Sequence, residues 1–379
     1  MASERPQGRP DVAVVGFSVR DTCGVHDNAD LLTAQLSREG VRCTTHWLVR
    51  RERALGSSRT ETDEWVRELT VALERERPRA ILLHYSVFSY SHKGVPIFVH
   101  PLTGALRRTH IPVYGFLHEF AYPWRLSGLR GFTWALTQRA VLLELLRSCS
   151  GLIVTTDWRA EWLRSQRWLP RRPVLVAPVA SALPAPDPAV RRDPGGAVIG
   201  LFGYSYQGAA VSLILDAVRD VRRAGTQARL VLLGAPGPDS AAARTWLDGA
   251  RERSMPEALS FSGTLPAQDL ADALAACDVL LFADSDGPSS RKSSLSGSLS
   301  SGRPVLAIDG PHTWRDLVDA DALRVVAPTA GAITGALLSL LGDRGELDAL
   351  GARGRAFAAG EMGVERAAAA VRELVAAES

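Results

Sequence analysis

Lysine is nearly missing from this chain. Of the 44 basic residues among 379, only Lys93 and Lys292 are lysines, and 44 less these two leaves 42 arginines. Acids almost match bases, and a formal net charge of +3 gives no electrostatic case for a nucleic-acid partner. Cysteine is scarce too. Cys23, Cys43, Cys149 and Cys277 lie far apart with no C-x-x-C pair, which points away from a disulfide framework or a zinc knuckle and towards a reducing compartment. Long apolar runs are absent: the longest, around "AVLLELL", is broken by Glu144 and Arg147, far short of a bilayer span. The start, "MASERPQGRP", is polar and predicts no signal peptide. No His/Asp/Glu cluster has metal-ligand spacing, so the expectation is a metal-independent protein. "GFSVR" lacks the second glycine of a nucleophile elbow. The expected location is cytoplasmic. Tyr122, Trp124, Phe132 and Trp134, which flank "RLSGLRG", leave peripheral membrane contact open beside the plainer role of packing under a loop.

What is present is a repeated alternation of short apolar runs and amphipathic helical stretches. "DVAVVGFSV", "AILLHYSVF", "IPVYGFLHEF", "GLIVTT" and "PVLVAPVA" read as buried strands, aliphatic without alternation, as expected where helices cover both sheet faces. Helices such as "TDEWVRELTVALERE" and "DWRAEWLRS" supply the crossovers. The proline-rich stretch 181–196 reads as a linker, after which the pattern restarts with "AVIGLFGY", "ARLVLLGAP", "ALSFSG", "DVLLFADS" and "PVLAIDG". The fold class predicted is α/β, with two Rossmann-like doubly wound parallel-sheet domains, 1–185 and 186–379, facing a cleft. The final helix, "VERAAAAVRELVAA", is alanine-rich on nearly every side and predicts close packing, with a return to the first domain left open.

One of the two lysines sits in "SSRKSSLSGSLSSGRP", residues 289–304, between a strand and the next strand. The segment predicts a short helix with Arg291 and Lys292 at its first turn. Cations there oppose the helix dipole by about 0.3–1 kcal/mol, a penalty that an arriving anion reverses. The N–H groups of Ser293, Ser294 and Leu295 would hold phosphate oxygens, and the two side chains would neutralise a diphosphate. A serine-rich capped loop with two solvated charges is the structural alternative.

The order of motifs resembles the GT-B glycosyltransferases, specifically the family-4 retaining group. "SLSSGRPVLA" stands where that family ends its E-x7-E element, and the two glutamate positions fall on Ser289 and Gly297, so both carboxylates are replaced. A bacterial subset is similar in carrying "DG-x-S-x-RR-x-SL", matched here by "DGPSSRKSSL" (286–295), with "HYSVFSYSHKGVP" (84–96) and "FLHEFAYPW" (116–124) matching the strand ends of the first domain. The family's "G-R-x4-K-G" is shortened to "FGYSYQG", with Tyr204 and Gln207 near the lost cations. Arginine use in place of lysine fits a GC-rich bacterial genome.

The resemblance implies a retaining transferase that moves a sugar from a nucleotide diphosphate to an acceptor hydroxyl, with no cofactor beyond that donor. It assigns catalysis to His118, Glu119, Arg291 and Lys292, with Glu119 orienting His118 or holding a sugar hydroxyl. The donor falls to Gly24, Gly203, Tyr204, Gly263, Leu265, Asp286, Ser293, Ser294 and Leu295. The acceptor, a glycan, lipid or small metabolite, falls to Asp21, His26, Tyr90 and Lys93. From the residues alone, His118 reads equally as a buried histidine bonded to backbone, and His26 as part of a helix-entry loop. A GT-B-fold sugar-nucleotide epimerase or hydrolase, and a non-catalytic sugar-nucleotide-binding protein, are the rival readings.

Overall fold

A computed structural model describes residues 9–19, 23–121, 129–192, 195–203, 209–234 and 237–376. Asp21, Tyr122, Trp124, Tyr204 and Gln207 therefore lie outside the described residues. The chain separates into two compact units, one of 1–178 with 364–379, the other of 179–363.

Unit 1 is built on six strands: β1 (Val12–Ser18), β2 (Cys43–Val49), β3 (Ala80–Ser86), β4 (Val113–Glu119), β5 (Gly151–Val154) and β6 (Val174–Val176). They are parallel, in the order β2-β1-β3-β4-β5-β6. Its helices are α1 (Gly24–Arg38), α2 (Leu55–Glu76), α3 (Val99–Arg108), α4 (Leu129–Ser148) and α5 (Asp157–Ser165). β1, β3 and β5 are buried at every position, the signature of strands covered on both faces. β2 was not expected from the sequence. It lies at the sheet edge, and its residues "CTTHWLV" are mostly half-exposed, so no apolar run marks it.

Unit 2 repeats the plan with β7 (Ala197–Phe202), β8 (Ala228–Leu233), β9 (Leu259–Gly263), β10 (Val279–Phe282), β11 (Val305–Ile308) and β12 (Arg324–Val326). The order is β12-β11-β10-β7-β8-β9, again parallel. Its helices are α6 (Ala209–Arg223), α7 (Ala241–Glu252), α8 (Ala267–Ala276), α9 (Ser293–Ser300), α10 (Arg315–Asp319), α11 (Ala330–Gly342) and α12 (Arg344–Glu361). Strand alternation divides its core between two faces. Ile199, Leu201, Val279 and Leu281 join α6, α7 and α11 on one side, while Val198, Leu280 and Phe282 join α8 and α9 on the other.

The last helix, α13 (Val364–Ala376), belongs to unit 1. It packs beside α1, where Arg372 pairs with Glu39 at 3.1 Å, and Leu374 fills the space above Gly151. The proline-rich stretch is docked on unit 2: the Asp187 N–H donates to Asp272 at 2.7 Å, Gln268 donates to the Ala185 carbonyl at 3.2 Å, and Arg192 pairs with Asp348 at 2.6 Å.

Each strand order reverses once, between β1 and β3 in unit 1 and between β7 and β10 in unit 2. In open parallel sheets the carboxyl ends flanking such a reversal diverge and leave a crevice for ligands.

Candidate functional site

In unit 2 the reversal carries the charged cluster. β10 runs out into "ADSDGPSSRKSS", and Asp284, two residues past the strand, is buried. Its Oδ1 accepts the Asp286 N–H at 3.0 Å. Its Oδ2 is held by Arg291 Nη2 at 2.9 Å and Lys292 Nζ at 3.0 Å. Arg291 Nη2 also reaches Asp286 at 3.0 Å. Two cations and two carboxylates thus close on each other, with a formal sum of zero. Burial works to raise the Asp284 carboxyl, but the Lys292 and Arg291 charges outweigh it and hold the group below its ordinary value. The cations differ in reach: the Arg291 side chain is 14% exposed and Lys292 is 38% exposed.

Lys292 is the cap residue of α9, so both cations precede the helix instead of lying in its first turn. Ser293 and Ser294 occupy the first two helical positions, whose N–H groups have no intrahelical acceptor. The Leu295 N–H, expected to bind phosphate, is already given to the Lys292 carbonyl at 3.1 Å, and its side chain is buried in the core. Gly203 follows β7 at φ +73°, with a Cβ built there only 3.9 Å from Ser294 Cβ, so these two expected donor residues do come together. Gly263, at φ +69°, ends β9 on the far side of β8, and Leu265 packs into the lower core.

In unit 1 the reversal carries a row of rings. His118, sixth in β4, is buried, with its Nε2 3.1 Å from His84 Nδ1. Phe116 stacks on both imidazoles, at 5.0 Å from His84 and 4.8 Å from His118. Trp47 of β2 tilts against His84 at 6.1 Å, and His26 of α1 stacks on Trp47 at 4.5 Å. The Trp47 ring lies across Gly16, where a Cβ would meet it at 2.3 Å. The Arg159 guanidinium donates to the His118 carbonyl. Thus His26 and His118 share one neighbourhood, His84 and Trp47 join them, and it is His84 that holds His118.

The remaining expected acceptor residues separate. Lys93 and Gly94, at φ +47° and +89°, form the tip of a tight turn closed by His92 and Val95. Trp134 Nε1 donates to the Lys93 carbonyl at 2.9 Å and Gln138 to that of Gly94 at 3.0 Å, which fixes the turn on α4 and leaves Lys93 exposed. Gly24 is the first residue of α1. Tyr90 is a correction: it is fully buried, stacks on Phe17 at 4.3 Å, and gives its hydroxyl proton to the His84 carbonyl at 2.8 Å. It holds the strand end from beneath and meets no acceptor. Tyr90→Phe is expected to lose about 1 kcal/mol of stability in urea titration and to leave the acceptor KM unchanged.

Burial, aided by the Arg159 charge, pushes the His118 imidazole down to about 3. Burial, then the charges of His118 and His26, drive His84 well below its ordinary value. Both rings titrate near ~6.5 when unfolded. The unfolded chain therefore binds more protons as pH falls below that value, so this stability is whole above it and is lost progressively toward about 3. The unfolding free energy of unit 1, and with it the urea midpoint, should fall between about pH 7 and about pH 5, the free energy with a slope approaching ~1.4 kcal/mol per pH unit for each ring. The drop should shrink in His118→Gln. A midpoint that stays flat over this range would contradict neutral, buried rings.

Asp284, His84 and Trp47 are among the residues of these clusters that escaped the sequence reading. Asp284 sits eight positions before Lys292, in "ADSDG", and only the curl of the loop brings them together. For His84 a signal did exist: "LLH" and "FLH" place a histidine late in two adjacent strands.

No family profile and no curated protein matches the sequence. Solved structures do. Sucrose-phosphate synthase from Thermosynechococcus elongatus superposes with a TM-score of 0.73 at 14% identity, over 97% of this chain and 98% of that one. Anabaena HepE in complex with UDP and glucose gives 0.68 at 12% identity, over 96% and 99%. The UDP-GlcNAc 2-epimerase of Neisseria meningitidis bound to UDP-GlcNAc gives 0.59 at 12% identity, over 96% and 99%. This chain therefore has the two-domain, Rossmann-like GT-B fold that these proteins share.

Proposed function

We propose that the chain is a retaining glycosyltransferase that moves a sugar from a nucleotide diphosphate to an acceptor hydroxyl without a metal ion. One observation carries the reading. At the strand-order reversal of unit 2, Lys292, Arg291 and the first N–H groups of α9 converge beside the Gly203 turn. A diphosphate is the ligand this set suits, since fixed N–H groups and a cation at a helix start favour bound phosphate. The structural likeness to a protein solved with UDP and glucose supports a nucleotide-sugar donor.

The cations divide the work. Lys292, more exposed and paired with Asp284, turns to the diphosphate, while Arg291 stays braced between Asp284 and Asp286 and keeps the loop in shape. As the bond from the anomeric carbon to the diphosphate breaks, negative charge grows on the leaving oxygen, and Lys292 with the Ser293 and Ser294 N–H groups stabilises it there. The acceptor oxygen bonds to the anomeric carbon on the face the diphosphate leaves, and its proton passes to a departing phosphate oxygen. His118 and Glu119, at the end of β4, serve the sugar and the acceptor.

The test is product analysis with UDP-, GDP-, ADP- and dTDP-sugars and a panel of alcohol acceptors. The expected product is a glycoside whose anomeric configuration, read by NMR, matches the donor. An inverted product overturns the retaining mechanism. An epimerised or hydrolysed donor with no glycoside formed would favour the epimerase reading, and binding without turnover a non-catalytic one.

A further inference from the structure

His118 and His84 share a single proton. Their facing nitrogens are 3.1 Å apart, close enough for one hydrogen bond and too close for two N–H groups. Two arrangements are available to a pair of neutral imidazoles. In the first, His118 donates from Nε2, and His84 must carry its own proton on Nε2. In the second, His84 donates from Nδ1, His84 Nε2 is a bare lone pair, and His118 carries its proton on Nδ1.

The surroundings of His84 choose between them. His84 is completely enclosed, and its Nε2 has no hydrogen-bond partner among the described residues. The first arrangement leaves an N–H stranded there; the second leaves only an unused acceptor. Orphaned buried donors are the rarer and costlier of the two, and the difference favours the second arrangement by about tenfold. Phe116, stacked on both rings, limits how far they can turn away from each other.

We propose that His84 is a positioning residue that fixes His118 as the Nδ1–H tautomer, so that His118 meets its ligand as a hydrogen-bond donor and never as a base. The ligand atom is then an acceptor oxygen, which we take to be a hydroxyl or ring oxygen of the sugar. That last step alone rests on the glycosyltransferase reading; the tautomer does not. His84 itself, beneath His118, touches no substrate.

The direct test is NMR of ring-15N-labelled histidine in the ligand-free protein near neutral pH, with His118 assigned by the signals lost in His118→Gln. The expected result is a protonated Nδ1 and a bare Nε2 on His118. A proton on Nε2, or on both nitrogens, overturns the proposal. His84→Phe keeps a ring against Phe116 but removes the donor. His118 should then drift to a mixture of tautomers, with kcat down about tenfold and the donor KM changed less than about threefold. His84→Asn, whose amide N–H stands close to where the imidazole Nδ1–H was, should restore both tautomer and rate. A His118 tautomer unchanged in His84→Phe also overturns the assignment, and if that variant fails to fold, the wild-type spectrum decides alone. The expected tautomer in a protein that turns over no nucleotide sugar would remove the glycosyltransferase reading and leave the pair as described.

Discussion

Lys292→Ala is expected to lower turnover of the nucleotide-sugar donor about 100- to 1000-fold, the range found when one preorganised donor to a developing charge is removed. The fold should survive. Lys292 is partly exposed, and its ion partner Asp284 keeps Arg291 and the Asp286 N–H. Partly exposed ion pairs contribute about 1 kcal/mol or less, so the melting temperature should move by no more than a few degrees. Arg291→Ala should behave differently. Arg291 ties Asp284 to Asp286, so its loss unpicks the loop and lowers melting temperature and turnover together. The sequence alone gave the two cations one shared role, and their unequal exposure separates them. Steady-state kinetics of both variants, beside their melting curves, checks the division. A Lys292→Ala enzyme with near-normal kcat would remove the diphosphate role from this cluster.

Asp284→Asn should move two quantities in opposite directions. The substitution keeps an oxygen for the Asp286 N–H but removes the charge that Arg291 and Lys292 share. Taking one partner from a buried ion pair costs about 3 kcal/mol, because the remaining charge is left uncompensated. The same uncompensated charge attracts an anion, so inorganic diphosphate should raise the melting temperature of the variant more than that of the wild type. The pH behaviour follows the sign of the shift. The folded Asp284 carboxyl lies below its unfolded value, so its contribution is complete above ~4 and is lost as pH falls through the lowered value. Asp284→Asn should therefore lose part of the acid sensitivity of unit 2. A variant that is destabilised but indifferent to diphosphate would leave the cluster as a structural brace only.

The strands that could be read from the sequence are those buried on both sides. "VAVVGFS", "AILLHYS" and "GLIV" are continuous apolar runs because helices cover both faces of the sheet. The strands that could not be read, β2 and β12, each close one edge of a sheet. β2 mixes threonines and a histidine with its apolar residues, and β12 is three residues long. The close packing of α13 was legible in its alanines, but its partner, α1 of the same unit, depends on contacts between the two ends of the chain.

The site was legible where it is unusual in composition and illegible where it depends on pairing. A lysine beside an arginine in a serine run stood out at once; the carboxylate that binds both did not, because ion pairing depends on the curl of a loop. Tyr90 was misplaced because sequence does not show which way a loop aromatic turns, and here it turns inward onto Phe17. The two positions where the resemblance would place glutamates have surroundings that suit small residues. Ser289 is buried, and a Cβ at Gly297 would stand 3.1 Å from Leu183, 3.1 Å from Ser181 and 3.2 Å from Phe202, leaving no room for a carboxylate without repacking.

The most direct test of the central claim, that the Lys292 cluster at the start of α9 binds the donor diphosphate, is melting temperature against UDP, GDP, ADP and dTDP in wild type and Lys292→Ala. A nucleotide at about 100 times its dissociation constant stabilises by about 2.7 kcal/mol, a rise of several degrees. The account predicts that rise for one nucleotide in the wild type and its loss in the variant. The same rise in both proteins, or none with any nucleotide, would contradict it.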